Sequence, residues 1–160
     1  IMVLRSFIER DPAYSYGAAR ALLMRLYKGI LGNEQVKYDQ LAEQLQGVFP
    51  KSIQRGVSLG RLDSRLLTFD LNRLAGELVF ENDHLFHYLA AQTLADRYLV
   101  KDIQSKDILE TPQFFWMRVA MGVALKEDKK EERAIEFYRM MSTLRYVPSS
   151  PTLLVTMRSF

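Results

Sequence analysis

Residues 111–125 read "TPQFFWMRVAMGVAL", and this stretch decides the fold class. Thr111 followed by Pro112 is a helix start. A threonine hydroxyl can accept from an early backbone N–H, and proline at the first helical position gives up no needed donor. The residues after this pair form the most apolar helical run in the chain. Phe114, Phe115 and Trp116 stand in a row and cover most of its circumference. They therefore read as core rather than as a platform for stacking a base or a cofactor.

Downstream, charged residues 126–133 make a solvated corner before an amphipathic helix that runs to about Arg145. Glu131, Glu132 and Glu136 oppose Lys129, Lys130 and Arg133 at helical spacings, which predicts a solvated face rather than paired catalytic carboxylates. Pro148, Ser149, Ser150 and Pro151 end that helix, and a β-leaning run comes after them.

Upstream, two β-leaning runs, 98–101 and 107–110, flank a polar turn and predict one small hairpin. Residues 81–100, "ENDHLFHYLAAQTLADRYLV", place Leu85, Tyr88, Leu89, Gln92, Leu94 and Ala95 at helical spacing through about Tyr98. Asp63 and Asp70 each precede a short helical turn. Residues 37–47 form one helical stretch, and Pro50 opens another over 51–60. Asp11-Pro12 repeats the cap-plus-proline start. Its helix gathers Ala19, Leu22, Leu23, Leu26, Tyr27 and Ile30 on one face and stops at Gly32. The expected fold is mainly α, a single helical domain with one hairpin.

The composition narrows the function. At 160 residues the chain can bury a sizeable core. Its net charge of +3 is spread without a dense basic block, which argues against nucleic acid. No apolar run approaches the ~20 residues of a membrane span. There is no cysteine, so the chain supplies no disulfide, thiolate metal site or cysteine nucleophile, and this fits a cytoplasmic location. His84 and His87, three apart on the predicted helix with Asp83 nearby, have a spacing some metal sites use. Beside Phe86 and Tyr88 they read as helix residues, and no metal is expected. No glycine-rich phosphate loop or Ser–His–Asp spacing is present. Chemistry alone marks no active site before residue 146.

Three ordered stretches go further: "LADRYLVKD" (94–102), "LETPQFFWMRVAMGVALKE" (109–127) and "RAIEFYRMMSTLRYVPSSPTL" (133–153). Together they resemble the N-terminal helical region of the large (α) subunit of class I ribonucleotide reductase. "RDPAYSYGAARALLMRLYKGILG" (10–32) and "RGVSLGRLDSRLLTFDLNRLA" (55–75) are similar to the opening helices of the same region. The resemblance implies three parts. Residues 1–10 would be the exit helix of an absent ATP-cone, 11–145 the helical domain, and 146–160 the entry into a ten-stranded α/β barrel.

It also implies an activity: reduction of ribonucleoside diphosphates to deoxyribonucleoside diphosphates by thiyl-radical chemistry. The family's barrel carries the reacting cysteines. A separate small (β) subunit with a metal/radical cofactor supplies the radical, and nucleotide effectors (ATP, dATP, dNTPs) bind outside the region matched here. The implied partners are the barrel-bearing remainder of the large subunit, the small subunit, a second large subunit and the ribonucleoside diphosphate. The family residue before Pro-Thr-Leu holds substrate, and here that residue is Ser150. A hydroxyl on a loop with free N–H groups suits a diphosphate.

The chain departs from the family after this turn. It reads "LVTMRSF" (154–160) where the family continues toward its first catalytic cysteine. The implied chain is a fragment or a split-gene product, inactive alone and without a catalytic residue or bound cofactor of its own. Two other readings stay open: an adenosylcobalamin-dependent reductase and a non-enzymatic helical interaction module.

Overall fold

The computed structural model describes residues 2–8, 11–32, 36, 38–154 and 156–157. Among them the regular structure is helical. The helices are α1 (Met2–Ser6), α2 (Ala13–Leu31), α3 (Leu41–Ser58), α4 (Leu71–Gly76), α5 (Tyr88–Arg97), α6 (Pro112–Ala124), α7 (Lys130–Ser142) and α8 (Ser150–Leu153). Short 3-10 turns at Tyr38–Gln40, Ser64–Thr68 and Phe80–Leu85 join some of them. The ends of the 1–10 and 146–160 segments, and residue 37 of the predicted 37–47 helix, lie outside the described residues.

Both cap-plus-proline starts open helices, with Pro112 inside the first turn of α6 but Pro12 at the N-cap of α2 rather than at its first helical position. Asp11 accepts the Ala13 N–H at 2.8 Å ahead of α2, and Gly32 ends that helix in the left-handed region at φ 62°. Thr111 accepts the Phe114 N–H at 3.1 Å and opens α6. Asp63 and Asp70 accept from the Arg65 and Arg73 N–H groups. α6 is the axis of the core: Phe114, Phe115, Met117, Val119 and Ala120 are all sealed from solvent, with Trp116 beside them. Helix α7 packs along it, while α2 and α5 pair with each other.

Four expectations are corrected. Pro50 does not open a new helix but lies inside α3. An interior proline costs about 3 kcal/mol. The stripe Leu41, Leu45, Phe49, Ile53 and Gly56 runs buried through it, and its burial holds the helix continuous. Next, residues 81–98 are not one helix. The 3-10 turn Phe80–Leu85 stops at Phe86, which is extended and buried, and His87 starts α5 as its N-cap.

The small hairpin is also absent, since the described residues contain no strand. At 98–110 there is a single antiparallel bridge, Lys101 to Ile108. Asp102 draws the Gln104 and Ser105 N–H groups into a tight turn, and the Val100 N–H goes to the Glu110 carboxylate. The Glu110 side chain thus takes the Val100 donor, one that a ladder would need. Last, the described residues of 146–157 contain no strand: Ser150–Leu153 form α8, Met157 bridges Leu62, and the Asp63 N–H reaches the Thr156 carbonyl at 3.1 Å.

Candidate functional site

The site grows from a cation placed where the sequence is least polar. Arg118 lies on α6 among buried apolar neighbours and is itself fully buried. A buried guanidinium is tolerated only when opposed by charge and hydrogen-bonded. Glu110, just before the Thr111 cap, meets both conditions. Arg118 Nε donates to one Glu110 oxygen and Nη2 to the other, each at 2.9 Å. Nη1 donates to Thr156 Oγ1 at 2.8 Å, and Nη2 also reaches the Tyr98 carbonyl at 3.5 Å. The Phe115 ring lies 5.2 Å beneath the guanidinium carbon. One side chain therefore ties α6 to the end of α5, to the 98–110 segment and to the returning tail.

This clamp positions the residue singled out from sequence. Ser150 is the first residue of α8 and is exposed. Its hydroxyl lies 2.9 Å from the Tyr98 hydroxyl, in a hydrogen bond that either group can donate. Leu153, one turn on, is buried and anchors α8. Of the neighbouring hydroxyls, Ser149 is exposed and Thr152 half-buried. Sequence reasoning did not find Tyr98, Arg118, Glu110 or Thr156. The available signal was a lone arginine within the most apolar helix.

A second polar network runs through the core. Asp83 is fully buried and accepts from the Tyr27 hydroxyl and from Gln113 Nε2, the latter at 2.5 Å. Gln113 Oε1 accepts from the Tyr138 hydroxyl at 2.6 Å, and that hydroxyl accepts the Val79 N–H at 2.8 Å. Loss of hydration pushes the Asp83 carboxyl up to about 7, against the two donors, with Glu81 adding to the rise. Burial likewise holds the Tyr138 phenol above its usual range. His84 and His87 do not join Asp83. Both are exposed, and His87 Nδ1 accepts the Ala90 N–H at 3.5 Å. Among the described residues no three His, Asp or Glu groups gather where a metal could be held.

Known proteins are similar to this sequence. Residues 84–159 match the family model described as "Ribonucleotide reductase, all-alpha domain". The ribonucleoside-diphosphate reductase subunit alpha of Chlamydia muridarum is 44% identical over 154 residues, covering 96% of this chain and 14% of that protein. The subunit alpha of Helicobacter pylori (strain ATCC 700392 / 26695) is 32% identical over 142 residues, 89% of this chain and 17% of the relative. That of Enterobacteria phage T4 is 31% identical over 155 residues, 92% of this chain and 19% of the relative. The chain thus spans less than a fifth of the length of these relatives.

Proposed function

We propose that this chain, similar over residues 84–159 to the ribonucleotide reductase all-alpha domain and along most of its length to ribonucleoside-diphosphate reductase large subunits, works as the helical part of such a subunit and presents Ser150 to a ribonucleoside diphosphate. The observation that carries this reading is the exposed Ser150 hydroxyl in a 2.9 Å hydrogen bond with Tyr98, whose own carbonyl lies 3.5 Å from the buried Arg118. A serine hydroxyl so fixed can donate to a phosphate oxygen without first being ordered, and pre-ordering lowers the cost of binding.

The chemistry itself comes from elsewhere. Nucleotide reduction by a thiyl radical and a dithiol needs cysteines, and this chain has none. Its partners are the barrel-bearing remainder of the large subunit, the radical-generating small subunit and a second large subunit. The effector sites and the metal/radical cofactor belong to those parts. Among the described residues no helix is long and apolar enough to cross a membrane.

The test is reconstitution. Deoxyribonucleoside diphosphate formation is measured for the 160-residue chain alone, for the barrel-bearing part with small subunit and reductant, and for all of them together. Turnover is expected only from the complete set. Turnover by the pure chain, or equal turnover with and without it, would overturn the reading.

A further inference from the structure

A cleft of about 510 Å3 opens between α2, α3 and the turn that follows Lys101. Small-molecule sites commonly measure about 300–1,000 Å3. Four cations line it, Arg25, Lys51, Arg55 and Lys106, against the single carboxylate of Asp107. Their placement works against local stability. Lys51 and Arg55 stand four apart on α3, where like charges repel across one turn. Lys106 takes a left-handed backbone at φ 62°, a conformation disfavoured for a residue with a Cβ.

Among the described residues no carboxylate pairs with Arg25, Lys51 or Lys106. Arg55 reaches Asp102 at 3.5 Å. Backbone donors from Gln104 and Ser105, with Arg55, hold that carboxylate below its usual range, so Asp102 stays charged and steadies Arg55 beside the cleft. Ile30, Val48 and Ile108 supply aliphatic lining, and nothing lies within 4 Å of where a Gly29 Cβ would stand.

We propose that this cleft binds a small molecule carrying a di- or triphosphate, its phosphates across the four cations and its remaining body on the aliphatic wall. A cleft in which four cations outnumber one carboxylate favours an anion, and Arg–phosphate hydrogen bonds are charge-assisted. A lone phosphate brings only about two negative charges, whereas a polyphosphate spreads its charge along a row of cations. The inference does not depend on the Ser150 reading.

Isothermal titration calorimetry on the full chain tests it with three probes: ATP, inorganic triphosphate and adenosine. ATP is expected to bind, and the two fragments to bind at least about tenfold more weakly. The double variant Lys51→Ala/Arg55→Ala should weaken ATP binding at least about tenfold. Lys106→Gly should weaken it severalfold while keeping the turn, because glycine accepts the left-handed backbone. Circular dichroism checks folding, and if the double variant unfolds Lys106→Gly decides alone. No ATP binding by about 1 mM, adenosine binding as tightly as ATP, or unchanged affinity in the folded variants would overturn the proposal.

Discussion

Arg118 and Glu110, eight residues apart across the start of α6, meet through two hydrogen bonds of 2.9 Å with side-chain exposures of 0% and 3%. Water neither screens this pair nor stands ready to replace a missing partner.

Removing one member should therefore be severe. Glu110→Gln or Arg118→Met leaves a buried charge uncompensated, at about 3–5 kcal/mol. The double change Glu110→Leu/Arg118→Met should recover much of that loss. Urea denaturation of the four proteins measures it. A single-variant loss below about 1 kcal/mol would contradict the burial argument.

Asp83 makes stability depend on pH. Its folded pKa, about 7, lies above the ordinary 3.8, so between those values the folded state holds a proton that the unfolded chain releases. Its contribution is greatest below about pH 4 and is lost as pH rises through 7, at up to about 1.4 kcal/mol per pH unit. Asp83→Asn should remove this fall. Asp102 and Glu132 have lowered pKa values and act in the opposite sense, so the quantity to follow is the wild-type minus Asp83→Asn difference in melting temperature. A difference constant from pH 4 to 8 would refute the assignment.

Two glycines on α3 should respond oppositely to alanine. A Cβ on Gly56 would stand 2.6 Å from Leu62 Cδ1 and 2.9 Å from Cγ, and Leu62 is buried where it bridges Met157. Overpacking costs about 1–3 kcal/mol, more than the roughly 1 kcal/mol that alanine adds to helix stability. Gly56→Ala should destabilise. Gly47 is exposed with nothing within 4 Å, so Gly47→Ala should stabilise by about 0.5–1 kcal/mol. Thermal melts that rank the two variants the other way would count against the Leu62 packing.

Ser150→Ala in the assembled enzyme should raise the KM for ribonucleoside diphosphate about tenfold to a hundredfold. A hydrogen bond to a charged group is worth about 1.5–3 kcal/mol. Tyr98→Phe should raise it less, because the serine hydroxyl remains but loses its 2.9 Å partner. The melting temperature should barely move for Ser150→Ala, since the side chain is exposed. Unchanged KM in both variants would leave Ser150 as a residue that only turns the chain.

The helix starts were legible in the sequence because capping is local. Asp63, Asp70 and Thr111 each accept an N–H two or three residues away, so short-range chemistry suffices. The core helix was legible too, since Phe114, Phe115 and Trp116 leave little of its surface free to face water. The family resemblance singled out Ser150, while local chemistry by itself read only a polar turn there.

The remainder depended on neighbours distant in sequence. Local rules end a helix at Pro50, yet a buried stripe carries α3 through it. Helical spacing continued across Phe86 and His87, but burying Phe86 and turning Asp83 toward Tyr27 and Gln113 broke the helix there. Ser150 acquires its partner from Tyr98, 52 residues away, and Arg118 reaches Thr156 across 38. The sequence by itself determined where helices begin and which one forms the axis of the core, because those depend on groups a turn apart. Only the tertiary structure decided which helices run on, which hydroxyl Ser150 faces and which charges are buried together, because desolvation is set by everything packed around a group.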